Sequence, residues 1–144
     1  MEVHSKKGET NVTSELYWLT LTVLMTALFW VPYILDRLVV RGVVPAITDN
    51  KPETDGQHSL WAQRAIKAHQ NAVENLAIFV PAVLIAHLLS ISTPATKTAV
   101  VVYFLARLIH FFVYLAGVPV VRTLSFAVGW AAQIVILASI LRWI

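Results

Sequence analysis

The chain has 144 residues, 58% of them hydrophobic and 13% charged, and a mean hydropathy of +0.69 is too high for an ordinary soluble domain of this size, which points to an integral membrane protein. Eleven basic residues against eight acidic ones leave a net charge of +3 with no basic tract that could follow a phosphate backbone, so nucleic acid is not an expected partner. Cysteine is absent, which excludes disulfides, thiolate metal sites and a protein-borne thiol nucleophile; any thiol chemistry must come from a ligand.

Met1 to Thr13 is polar and mixed in charge. The apolar run after it is too long for a signal-peptide core and lacks a cleavage site, so it is expected to be retained. A first span is placed at about 16–40. At ~1.5 Å per residue its most apolar part, Leu16 to Leu35, already crosses a ~30 Å hydrocarbon core, and Pro32 is expected to kink it. Asp36 beside Arg37 reads as a local or interhelical ion pair at the membrane edge. Residues 41–59 carry Gly42, Pro45, Pro52 and Gly56 together with three of the eight acidic residues, and read as a polar loop.

A second helix is expected over about 60–91, with Ser92-Thr93-Pro94 ending it and capping the next. Its first third is polar. Arg64, Lys67, Asn71 and Glu74 fall at i, i+3, i+7 and i+10, one face of a helix that runs on into apolar sequence. Ionisable groups at that depth cost several kcal/mol unless they face a bundle interior or a water-filled cavity, so the stripe is a functional-site candidate. His69 lies on another face and reads as one end of a helix-to-helix hydrogen bond. A third helix over about 95–116 carries Arg107, His110 and Tyr114 at i, i+3 and i+7. A Gly117-Val118-Pro119 turn follows, and a fourth helix over about 120–144 places Arg122 in its first turn.

The expected architecture is therefore all-α: one domain, 1–144, forming a four-helix transmembrane bundle with no internal repeat. Continuous apolar runs disfavour a β-barrel. Lys6, Lys7, Lys97 and Arg142 lie toward one membrane face and Arg37, Arg41, Lys51, Arg64, Lys67, Arg107 and Arg122 toward the other. The basic excess puts the loops at 41–59 and 117–119 in the cytoplasm and both termini opposite. His58, His69, His87 and His110 show no paired-ligand spacing, so no metal site is expected.

Taken together, four cations (Arg64, Lys67, Arg107, Arg122), one carboxylate (Glu74), the Asn71 amide, an imidazole and a phenol suit a small zwitterion richer in negative than positive charge. Glutathione has that pattern. The competing reading has these groups paired with one another, Lys67 with Glu74 for example, simply fastening the helices.

The segments R-A-I-K-A-H-Q-N-A-V-E-N at Arg64 to Asn75 and R-L-I-H-F-F-V-Y-L-A-G-V-P-V-V-R at Arg107 to Arg122 resemble the membrane-associated proteins in eicosanoid and glutathione metabolism. The first looks like that family's R-A-x-x-A-H-x-N-x-x-E signature, and length and four spans agree over nearly the whole chain. The resemblance implies a homotrimer with glutathione held as co-substrate between subunits. Asn71 and Glu74 would fix its amino end, Arg64, Lys67 and Arg107 its carboxylates, and His110 and Tyr114 would line the pocket. Arg122 is the catalytic candidate, stabilising the thiolate, and Arg37 is a further contact with Arg41 as the competing choice. Lys67 and Gln70 stand where family synthases carry arginine, and Phe126 where they carry tyrosine. The sequence is thus more similar to a broad bacterial branch, which implies a bacterial inner membrane. Two functions stay open: a glutathione-dependent transferase or peroxidase acting by a thiolate mechanism on lipophilic small-molecule electrophiles that enter laterally from the surrounding membrane lipids, or a non-catalytic scaffold or accessory subunit of a larger complex on the same fold. A transporter is disfavoured by the lack of an inverted repeat.

Overall fold

The computed structural model describes residues 12–48 and 58–144. Lys6, Lys7 and Lys51, and the centre of the expected polar loop, lie outside the described residues. The chain forms α1 (Ser14–Leu28), α2 (Val31–Arg41), α3 (Val43–Thr48), α4 (Leu60–Leu88), α5 (Pro94–Ala116) and α6 (Pro119–Ile140). Four stretches are long and apolar enough to cross a membrane: Ser14–Arg41, Leu60–Leu88, Pro94–Ala116 and Pro119–Ile140. The architecture is the expected all-helical bundle of an integral membrane protein.

Several boundaries differ from the sequence expectation for local reasons. The first span is two helices, because Pro32 lacks an N–H and its ring crowds the carbonyl of Leu28; the break falls one turn earlier, where Phe29 N–H bonds the Thr26 carbonyl at 3.2 Å. The region expected to be loop contains α3, a short helix begun after Gly42 (φ 82) ends α2. Helix α4 stops at Leu88 rather than 91, and α6 at Ile140 rather than 144.

The last two ends share one device. Ser90 N–H bonds the His87 carbonyl and Ile91 N–H bonds the Ala86 carbonyl, while Arg142 and Trp143 repeat the pattern on Ser139 and Ala138. Ser90 and Arg142 sit at φ 56 and 57, so each helix closes in a Schellman turn without glycine. Helix α5 ends the same way at Gly117 (φ 74). Its start is a capping box: Thr93 Oγ1 accepts from Thr96 N–H at 3.1 Å, Thr96 Oγ1 accepts from Thr93 N–H at 2.9 Å, and Pro94 follows.

Helix α5 packs on α6, α4 and α1, and α4 also meets α1, α2 and α6. The core has two parts. One gathers Leu19, Phe79, Val83, Val100, Tyr103 and Ile136, with the Phe79 and Tyr103 rings stacked at 3.7 Å. The other gathers Met25, Phe29, Ala65, Ala68, Ala72 and Phe111, with Phe29 stacked on Phe111 at 3.7 Å. Ala62, Ala65, Ala68 and Ala72 form the buried ridge of α4, small enough to bring neighbouring helices close. That ridge positions the site, because it turns Arg64, Lys67 and Glu74 outward on the opposite side and leaves Asn71 at the half-buried border.

Candidate functional site

Arg107 is the centre. It is 3% exposed, inside the bundle, and its NH2 donates to the Asn71 carboxamide oxygen at 2.7 Å, joining α5 to α4. Space for it comes from Gly129 on α6, where a Cβ would stand 3.4 Å from the Arg107 Cδ. Its Nε and NH1 are buried without a hydrogen-bond partner among the described residues. A guanidinium with two unsatisfied nitrogens in a low-dielectric interior is poised for an acceptor or anion.

One turn on, His110 Nδ1 lies 3.0 Å from the Arg122 carbonyl, and Ser125 Oγ donates to the same carbonyl at 2.9 Å. A carbonyl only accepts, so Nδ1 carries the hydrogen and Nε2 the lone pair. That Nε2 is also buried without a partner. The Arg122 guanidinium lies over the Tyr114 ring, Cζ 4.8 Å from its centre, a cation–π contact between α6 and α5. Phe126 flanks both groups, 6.0 Å from the Arg107 Cζ and 6.1 Å from the imidazole. Asn71, His110, Tyr114, Arg122, Thr123 and Phe126 line a recess of about 200 Å³.

Thus the structure brings Asn71, Arg107, His110, Tyr114 and Arg122 together. Arg64 lies beside them, its NH1 donating to the Leu115 carbonyl at 3.3 Å and its guanidinium covering Gly117. Lys67 and Glu74 are exposed on the outer face of α4 and do not line the recess; neither has an ionic partner among the described residues. Arg37 and Arg41 are partly buried, carry interactions of their own and are not part of its lining. His69 makes the helix-to-helix hydrogen bond, to the Tyr33 hydroxyl at 3.0 Å. Asp36 turns to the start of α4, where its Oδ2 accepts from Ser59 N–H at 3.0 Å and lies 3.4 Å from His58 Nδ1. Among the described residues no group of three or more potential metal ligands is close enough to hold an ion.

Sequence reasoning missed the supporting face of α6. Arg122, Ser125, Gly129 and Gln133 recur at helical spacing, and the last three are buried; Gln133 Nε2 donates to the Asn75 carbonyl at 2.9 Å. Small and polar residues repeating through an otherwise apolar span were the available signal.

The model of the family described as the MAPEG family matches residues 16–142. Neither a curated protein nor a solved structure gives a significant match.

Proposed function

The chain belongs to the MAPEG family, and from that premise we propose that it binds glutathione at the recess lined by Asn71, His110, Tyr114 and Arg122 and delivers its thiolate to a lipophilic electrophile. The observation that carries this reading is the buried Arg107 guanidinium, whose one side-chain hydrogen bond among the described residues is to Asn71, a residue of the recess wall, and whose Nε and NH1 remain without a partner. The alternative in which the charged stripe only fastens helices is disfavoured, because Lys67 and Glu74 pair with no side chain among the described residues.

In this mechanism Arg122 stabilises the thiolate, since a neighbouring cation lowers a thiol pKa and the thiolate is the nucleophile. Arg107 and Asn71 hold the peptide, Tyr114 orients Arg122 through its ring, and His110 offers its Nε2 lone pair. Conjugation forms the new C–S bond with the sulfur lone pair, while the leaving group departs with its bonding electrons. A hydroperoxide would instead lose its O–O bond to the thiolate, which becomes a sulfenic acid as the alkoxide leaves and is protonated to alcohol, and a second glutathione thiol then displaces water from that sulfenic acid to form the disulfide.

A recess of about 200 Å³ does not enclose a whole tripeptide. The remainder would extend over Arg64, Lys67 and Glu74, against a second copy of the chain in a homotrimer, so that the stripe faces an interface rather than lipid. The electrophile would enter laterally from the bilayer, with the recess on the cytoplasmic side.

The test is a thiolate titration of purified protein with glutathione, followed near ~240 nm, with Arg122→Ala as control. A saturable signal lost in the variant supports the reading. Undiminished thiolate in Arg122→Ala would refute the role given to Arg122, and no signal from the parent protein would favour a non-catalytic member of the fold.

A further inference from the structure

The other end of the bundle holds a second buried polar centre. Glu15, in the first turn of α1, is 4% exposed. Its Oε1 accepts from Ser92 Oγ and from Thr96 Oγ1, both at 2.9 Å, tying α1 to the start of α5. Its Oε2 is buried and has no hydrogen-bond partner among the described residues. Glu15 forms part of the wall of a recess of about 240 Å³, together with Thr13, His87, Ser90 and Ser92.

Among the described residues no lysine or arginine lines this recess, and α4 ends upon it, contributing the negative pole of its dipole through the Schellman turn at Ser90, while the first turns of α1 and α5 meet the Oε1 side of Glu15 with their positive poles. A half-satisfied carboxylate beside a helix C-terminus calls for a cation. A divalent metal is disfavoured because no group of three or more ligating side chains exists among the described residues. The volume also exceeds that of a bare ion, since even a water molecule takes only ~30 Å³. The recess lies where three spans begin or end, the level at which a bilayer presents its headgroups.

We propose that the Glu15 recess binds a primary ammonium group, with Glu15 Oε2 as its anionic acceptor and the Ser90 hydroxyl and His87 ring beside it. Two sources supply that chemistry, the headgroup of an ethanolamine lipid and a free small amine. The site is independent of the glutathione reading.

The experiment releases the full chain from vesicles of equal phosphatidylethanolamine and phosphatidylcholine into native mass spectrometry, since the methylated headgroup keeps its charge but has no N–H to donate. A roughly tenfold retention of the ethanolamine lipid is expected, the size of one charge-assisted hydrogen bond, and Glu15→Gln should abolish it. Because Glu15 also fastens α1 to α5, His87→Trp, which fills the recess from an exposed position, serves as a second variant and should abolish it too. In phosphatidylcholine alone, ethanolammonium chloride raising the melting temperature of the parent protein but not of the variants assigns the site to the free amine. Equal retention of both lipids with no ethanolammonium effect, a preference that survives both variants, or protection by sodium or potassium chloride equal to that by ethanolammonium chloride would overturn the proposal.

Discussion

Arg107 NH2 and the Asn71 carboxamide oxygen are 2.7 Å apart, and this bond is the buried polar link between α4 and α5 beside the recess, the Arg64 bond to the Leu115 carbonyl lying at the exposed edge. Replacing Asn71 by Leu leaves the buried guanidinium without a protein acceptor, which should cost about 1.5–3 kcal/mol of stability, the range for a hydrogen bond to a charged group. Asn71→Leu combined with Arg107→Met removes both partners and should recover part of that loss. Thermal unfolding in one detergent checks the cycle, and stability losses that simply add would show that the two side chains are not coupled. Glutathione binding should be weak in all three variants.

Arg64 and Gly117 constrain each other. Gly117 has φ 74, and a Cβ there would fall 2.7 Å from Arg64 NH1. Gly117→Ala therefore meets two penalties, the left-handed backbone, ~1–2 kcal/mol for a residue with a Cβ, and the displacement of Arg64 from the Leu115 carbonyl. In an Arg64→Ala background only the backbone penalty remains. The substitution should lower the melting temperature less in that background than in the parent; an equal shift would mean that Arg64 moves aside freely.

How much of this was legible follows from where the signals lie. The four spans rest on hydropathy alone, and the two motifs place Arg107, His110, Tyr114 and Arg122 correctly on α5 and α6 because helical spacing fixes their face. The ends at Ser90 and Arg142 were not legible, since a left-handed residue is signalled by glycine and neither position has one. The outward placement of Lys67 and Glu74 was hidden too. Spacing puts them on the same face as Arg64, but only the buried alanine ridge shows that the face points away from the chain's own core.

His110 carries its hydrogen on Nδ1 because the Arg122 carbonyl can only accept. Nitrogen-15 spectra of histidine-labelled protein should show that tautomer for His110. An asparagine side chain can place an N–H near the Nδ1 position, whereas glutamine reaches toward Nε2. His110→Asn should therefore keep more of the stability than His110→Gln, by about 1 kcal/mol, the worth of one intramolecular hydrogen bond. The reverse order would place the structural bond on the other nitrogen and leave Nδ1 facing the ligand.

Lys67 and Glu74 bear on assembly. Both are exposed on a transmembrane helix and lack ionic partners among the described residues, an arrangement that costs free energy in contact with lipid and little at an aqueous interface between subunits. The absence of cysteine makes a single Lys67→Cys substitution a clean reporter. If a second copy covers this face across a water-containing cleft, a small charged methanethiosulfonate should label it in native membranes and glutathione should slow that labelling severalfold. Val39→Cys, on a residue of α2 that is 84% exposed and does not line the recess, provides a comparison that glutathione should not protect. Chemical crosslinking of the same membranes should yield a self-trimer. Labelling at position 67 indifferent to glutathione, together with a crosslinked product containing a different protein, would instead place this chain as a subunit of a larger complex.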